Sequence, residues 1–326
     1  MKLLVTGGCG FIGSNFIDFY IKAYPERQVL CLDLMTYAAN RKSLTEAEKH
    51  DNFTFIQGDI RDSSLIFPLF EKEMFDCVIN FAAESHVDRS IENPSLFLDT
   101  NVTGTGILLE ASVKHHVKRF HQVSTDEVYG GRKLCDRGPL FDETSLLKPS
   151  SPYSASKAAS DLLALSYCKT FGLPVTVSRS SNNFGPRQHI EKLIPLTVTC
   201  ILRGNSVPLY GNGENMRDWL HVQDHVKALN LILNKGAFGE IYNISSHNEV
   251  SNIKLVKLLL KILKKPESFI TFTPDRKGHD ERYGIDTDKI ERTLGFAPEK
   301  DFEKSLEETV KWYISNEEWL KEYDKR

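Results

Sequence analysis

Apolar positions along this 326-residue chain fall into two alternating textures. Short β-branched or apolar runs, KLLVT, QVLCLDL, FTFIQG, FDCVINFAA, KRFHQVS and LPVTVSRS, read as buried strands. Between them lie longer stretches, such as FIGSNFIDFYIKAY and LFLDTNVTGTGILLEASVKHH, whose apolar residues recur with the period of a helix. Strands alternating with helices predict an α/β fold, a Rossmann-type doubly wound parallel sheet with helices on both faces. After about residue 182 turn residues interrupt the pattern, and a smaller α/β substrate-binding domain is expected over 183–326. The run GEIYNISS at 239–246 reads as one more strand, so 220–248 is expected to rejoin the first domain, 1–182. Further on, VSNIKLVKLLLKILKK and DFEKSLEETVKWYISNEEWLK each read as an amphipathic helix with a solvated charged face.

Composition narrows the partners. A net charge of −3 and a pI near 6.4 give no overall basic field for nucleic acid or an acidic membrane, which leaves a small molecule. The six cysteines, at 9, 31, 77, 135, 168 and 200, form no CxxC pair, as expected of free thiols in a reducing compartment. No run approaches the roughly 18 uninterrupted apolar residues of a membrane span, and the first residues are too weakly apolar for a signal peptide. A soluble cytoplasmic protein is expected. Scattered histidines and unpaired cysteines predict no metal site.

The first chemistry lies in LLVTGGCGFIGSNF, where Gly7, Gly10 and Gly13 follow the first strand and open a helix together with Phe11 and Ile12. Glycines there let the backbone approach a pyrophosphate, whose charge meets free N–H groups at the helix start. Asp33 closes the second strand, placed to accept from both ribose hydroxyls and to repel a 2′-phosphate, which predicts NAD rather than NADP. Asp59 and Ile60 end the third strand, where they either flank the adenine or belong to a loop whose acid caps a helix. After the fourth strand, Ala82 and Ala83 leave room for a cofactor, while Ser85 and His86 are polar groups at the carboxyl edge of the sheet.

The second chemistry is SPYSASKAASD. Tyr153 and Lys157 stand at i and i+4 on one helix face, so the ammonium, aided by a nicotinamide cation, can lower the phenol's pKa towards use as a base. Thr125 supplies a hydroxyl about thirty residues upstream. With the GxxGxxG turn, these residues resemble the extended short-chain dehydrogenase/reductase superfamily, in which such a group takes an alcohol proton as hydride leaves.

Next to Thr125 stand two acids, Asp126 and Glu127. The segments STDEVYG, AAESHVDRSI, SNNFGP, EKLIPL, GNGENMRDWLHVQDH and DRKGHDERYGID together resemble the nucleotide-sugar 4,6-dehydratases over nearly the whole chain. That resemblance implies that Tyr153 and Thr125 act at the sugar 4-hydroxyl, that Glu127 takes the C5 proton, and that Asp126 protonates the leaving 6-hydroxyl. It implies further that Asn182 lies near the sugar and first phosphate, that Glu191, Lys192 and Leu193 line the nucleotide, and that Arg217 and Arg276 take the diphosphate. Tyr210 then sits beside the base, with His279 and Tyr283 closing over the nucleotide; His86, by its place in the expected cleft, is either a structural histidine or a sugar contact. A homodimer through helices around 94–116 and 152–172 is also implied. Cys9, Phe184 and Arg187 depart from the family pattern, and the last two are expected at the substrate pocket.

Other readings share parts of this pattern. A nucleotide-sugar 4-epimerase or decarboxylase uses the same turn and Tyr–Lys pair without needing the two acids. A dinucleotide-sensing protein without catalysis has no need to keep Thr125, Tyr153 and Lys157 together. Asp126 and Glu127 also suit a helix N-cap and its first turn. The base, thymidine or uridine, and the hexose, plain or acetamido, stay open.

Overall fold

A computed structural model describes residues 1–324. Its strands are β1 (Lys2–Thr6), β2 (Gln28–Asp33), β3 (Phe53–Gln57), β4 (Cys77–Asn80), β5 (Arg119–Thr125), β6 (Val175–Ser180), β7 (Asn182–Phe184), β8 (Val207–Tyr210), β9 (Met216–His221), β10 (Ile241–Ile244), β11 (Glu249–Ser251) and β12 (Ile270–Thr273). Seven of them form one sheet in the order β10-β6-β5-β4-β1-β2-β3, every neighbouring pair parallel. The alternation seen in the sequence produces this arrangement, because each parallel neighbour requires a crossover that covers a face of the sheet.

Alternate side chains of β1 feed two cores. Leu3 and Val5 join Phe16, Ile17 and Leu229 on one face, while Leu4 joins Ile66, Phe70, Leu108 and Phe120 on the other. All ten are fully buried, each side chain contributing about 1.5–3 kcal/mol of hydrophobic stabilisation. Between strands, a buried chain of polar groups fixes the centre of the sheet. Thr6 donates to Asn80 at 2.6 Å, and Asn80 donates to Gln122 at 2.9 Å and to Thr105 at 3.1 Å. The order turns back at β1, between β4 and β2, which opens a crevice at the carboxyl ends of the strands.

The C-terminal region adds a three-stranded sheet, β11-β9-β7, and a two-stranded one, β12-β8. Its core gathers Phe184, Ile194, Val198, Leu255, Leu306 and Tyr313. Two helices depart from the sequence reading. The stretch beginning at Asp301 is broken at Asn316 into Phe302–Ser315 and Glu317–Asp324, because Trp319 turns back to donate to Ser43 at 2.9 Å. The stretch Pro94–Lys114 is interrupted by a π-helical turn, Asp99–Gly104. This turn presents Asn101 inward, where it accepts from the Glu84 backbone N–H at 2.8 Å and donates to Ser156 at 2.8 Å. Among the described residues no helix is long and apolar enough to cross a membrane.

Candidate active site

The crevice is a cleft of about 630 Å³. At one end Gly7 adopts φ +68° and packs so closely on the β4–α connection that a Cβ would lie 2.6 Å from Ala82 N. A Cβ on Gly13 would lie 2.5 Å from Gly7 O, so only glycine allows the turn to close. The helix Phe11–Ala23 begins at this turn with no side chain capping its start, and Gly10, Phe11 and Ile12 line the cleft. Asp33 Oδ2 accepts from Cys9 N at 2.8 Å and its Oδ1 from Met35 N at 2.8 Å, which holds the carboxylate at the end of β2.

Asp59 and Ile60 line the same cleft with Ala82, Ala83 and Ser85. The helix Ser63–Glu73 is capped by Asp62, whose carboxylate accepts from Ser64 N and Leu65 N. Asp59 is instead paired with Arg61, Nη2 to Oδ2 at 2.6 Å, so the capping alternative for Asp59 is set aside.

At the other end stand Thr125, Glu127, Tyr153 and Lys157. Their placement follows from local sequence. Ser151 caps the helix Pro152–Phe171 in a reciprocal capping box with Ser154, Pro152 takes the first helical position, and Tyr153 and Lys157 therefore fall on consecutive turns facing β5. Lys157 Nζ donates to Val123 O at 2.6 Å. Thr125 caps the short turn Asp126–Tyr129, accepting from Glu127 N at 3.3 Å.

Electrostatics separate the acids. Burial raises the Asp126 carboxyl well above its usual range, and Glu127 and Asp218 add to the shift, with Arg217 opposing. Glu127 is also raised by burial, but Arg276, Arg217 and Lys192 all draw it back. Glu127 lines the cleft; Asp126 is not among its lining residues but lies next to them, 3% exposed, with its Oδ1 accepting from the hydroxyl of the lining residue Thr125 at 3.3 Å. Burial pushes the Tyr153 phenol up, Glu127 pushes it further, and the Thr125 hydroxyl is the foremost group opposing them. Desolvation thus outweighs the nearby hydrogen bond within the chain itself, while the cation of a nicotinamide, which is part of the sequence expectation, would act in the opposite direction.

Of the residues expected to hold a nucleotide sugar, Asn182, Glu191 and Lys192 line the cleft. Lys192 Nζ reaches Ser85 O at 3.2 Å, and Glu191 lies between His86, at 3.6 Å, and Arg89, at 3.9 Å. His86 caps the helix Val87–Glu92 and burial lowers its pKa to about 4, which keeps the ring neutral. Arg217 lies 4.5 Å over the Tyr283 ring and donates to Asp280 O at 2.9 Å, while Tyr283 donates to Asp280 Oδ2 at 2.7 Å. Tyr210 donates to Asp88 at 3.2 Å, and His279, 6.2 Å away ring to ring, holds Asp275. Leu193 packs into the C-terminal core instead of the cleft.

Asn182 Oδ1 and Arg276 Nε are buried without hydrogen-bond partners, an acceptor and a donor left for a ligand. Phe184 and Arg187 do not reach the cleft as expected. Phe184 is 1% exposed, wedged 5.2 Å from the His221 ring and 5.6 Å from the Phe302 ring. Arg187, at φ +73°, turns to Asp18 at 2.6 Å on the first helix. Residues that sequence reasoning missed include Tyr37, Arg89 and Gln188 in the cleft wall, and Asn101 behind it. Only their position across the sheet marks them, which no local motif encodes.

A parallel sheet with a glycine cradle at its switch point, joined to a Thr–Tyr–Lys group, defines a dinucleotide-dependent redox protein of the extended short-chain type. The family profile of GDP-mannose 4,6 dehydratase matches residues 4–309. The dTDP-glucose 4,6-dehydratase of Actinoplanes sp. is 48% identical over 98% of this chain and 99% of its own length. The dTDP-glucose 4,6-dehydratase 1 of Escherichia coli K12 is 45% identical over 98% and 94%. Among solved structures, DesIV, a dTDP-glucose 4,6-dehydratase of Streptomyces venezuelae with NAD and TYD bound, superposes with a TM-score of 0.94. It shares 47% identity, and 98% of each chain is covered. A UDP-glucose 4-epimerase of Thermotoga maritima gives a TM-score of 0.89 at 30% identity, over 97% of this chain and 99% of the other. The chain belongs to the nucleotide-sugar 4,6-dehydratase family of extended short-chain dehydrogenases/reductases.

Proposed function

We propose that the protein is an NAD-dependent dTDP-glucose 4,6-dehydratase, converting dTDP-glucose to dTDP-4-keto-6-deoxyglucose and water. The observation that carries this reading is that Glu127 opens into the same cleft as Thr125, Tyr153 and Lys157, so a redox group and an eliminating acid share one substrate.

NAD, when bound, supplies the acceptor that takes the C4 hydrogen and later returns it to C6. Gly7, Gly10, Phe11, Ile12 and Gly13 receive its pyrophosphate, Asp33 its ribose, and Asp59, Ile60, Ala82, Ala83 and Ser85 its flanks. Tyr153 removes the 4-hydroxyl proton, with Thr125 hydrogen-bonded to that oxygen and Lys157 holding positive charge nearby. The 4-ketone acidifies C5–H, which Glu127 removes. Asp126, protonated as its burial favours, donates to the leaving 6-hydroxyl, so water departs across C5–C6. A proton then returns to C5 as C6 is reduced, and the cycle is redox-neutral. Arg217 and Arg276 hold the diphosphate through guanidinium forks. Asn182 and His86 hold the sugar side, Glu191 and Lys192 line the nucleotide, and Tyr210 sits beside the base with His279 and Tyr283 closing over the nucleotide.

Residues 1–182 with 220–248 serve as the cofactor half, and the rest mainly as the nucleotide-sugar half. Two chains pair through 94–116 and 152–172, where Leu98 and Leu162 are more than half exposed. Six free cysteines suit a reducing compartment, the cytoplasm. Incubation with a panel of NDP-hexoses tests the substrate. Formation of the 4-keto product from dTDP-glucose is expected, and preference for a UDP- or acetamido-sugar overturns the choice of substrate while keeping the reaction.

A further inference from the structure

Along the helix Pro152–Phe171, residues 153, 157 and 161 stand one turn apart on one face. The third of them, Asp161, is fully buried and does not line the cleft. Its Oδ2 accepts from Arg179 Nε at 3.0 Å. Arg179 lies on β6, is 2% exposed, and sits 4.8 Å over the Tyr129 ring. The register of β5 against β6 sets Ser124 beside Arg179, and the Ser124 hydroxyl acts with Arg179 in drawing the Asp161 carboxyl down.

A buried ion pair is a weak contributor to stability, since desolvation offsets most of the attraction and apolar residues fill such space as well. Its place one turn beyond Lys157 gives it another use. We propose that Asp161, paired with Arg179 on β6 and standing one turn beyond Lys157 on the same helix face, is a positioning residue for the Lys157 ammonium. Lys157 in turn supports the Tyr153 base, so four residues form one line of alternating charge from β6 to the cleft.

The surroundings agree. Burial pulls the Lys157 ammonium down to about 8, and Asp161 opposes that fall. Burial raises the Asp161 carboxyl, while Arg179 and then Lys157 draw it back. The remaining charged or titratable groups bear on other members of the line. Glu127 and Asp126, from the turn after β5, raise the Tyr153 phenol, Asp161 itself adds to that rise, and Tyr129 from the same turn acts on Arg179. The inference rests on the redox step proposed above, but its test need not.

Competitive acylation of lysines across a pH series, read by peptide mass spectrometry, reports the midpoint of Lys157 with no sugar present. Asp161→Asn is expected to move that midpoint to lower pH by about one unit or more, and Asp161→Glu to restore it. Arg179→Gln is expected to move it in the same direction, because Asp161 then takes up a proton. A merely structural pair predicts no shift, and a direct effect of Arg179 on Lys157 predicts a rise. An unchanged midpoint in Asp161→Asn, or a higher one in Arg179→Gln, overturns the proposal; either variant decides it if the other does not fold. With dTDP-glucose, the high-pH limb of the first redox step should shift as the midpoint does. No turnover by the wild type would sink the functional reading and leave the acylation result standing.

Discussion

Asp126 and Glu127 are neighbours in the chain and opposites in environment. Burial raises both carboxyls, but Arg276, Arg217 and Lys192 draw Glu127 back, whereas Glu127 and Asp218 push Asp126 further up against Arg217. Two carboxyls one residue apart are thereby given an acid's and a base's surroundings.

Replacing Glu127 by Gln should leave NAD binding and oxidation at C4 in place and stop the loss of water. A fall of about 10²–10⁴-fold in dehydration is expected for a lost general base. Stopped-flow absorbance of the reduced cofactor, beside product analysis, checks it. An unaffected epimerase activity in this variant would contradict the assignment.

Asp126 also has a signature in stability. A carboxyl raised on folding binds more protons in the native state, so its contribution is full below the usual carboxylate pKa and is lost as pH rises through the raised value. Asp126→Asn removes that loss. Thermal unfolding should show the variant gaining on the wild type with rising pH from the carboxylate range upwards, while dehydration falls. A constant difference across pH would contradict the buried-acid assignment.

Ser151 sets the position of Tyr153 through the helix cap. Ser151→Ala should cost about 1 kcal/mol, readable by urea unfolding, and should reduce kcat more than it weakens NAD binding.

Asp33 keeps two backbone N–H groups, of Cys9 and Met35, on its carboxylate. Asp33→Asn presents an amide N–H₂ to one of them. NAD affinity should fall, and discrimination against NADP should weaken because the charge that repels a 2′-phosphate is gone. Titration with both cofactors checks this.

Much of the fold is legible in the sequence because parallel strands buried on both faces read as short apolar runs, of which Leu3, Leu4 and Val5 are the clearest. The breaks are less legible. Asn316 and the turn Asp99–Gly104 interrupt helices for reasons supplied by distant partners, Ser43 and Glu84, with no mark in the local pattern. The glycine turn, Asp33, Tyr153 and Lys157 are readable because their spacing is local. Arg187 misleads for the opposite reason: a cation near the expected pocket is drawn away by Asp18, which lies far from it in sequence.

The reaction itself is tested most directly by following an isotope through one turnover. With dTDP-glucose carrying deuterium at C4, in ordinary water, the label should appear at C6 of a 4-keto-6-deoxy product, since oxidation at C4 and reduction at C6 use the same hydrogen. Label returned to C4, with the sugar's 6-hydroxyl intact, would contradict a dehydratase and identify an epimerase.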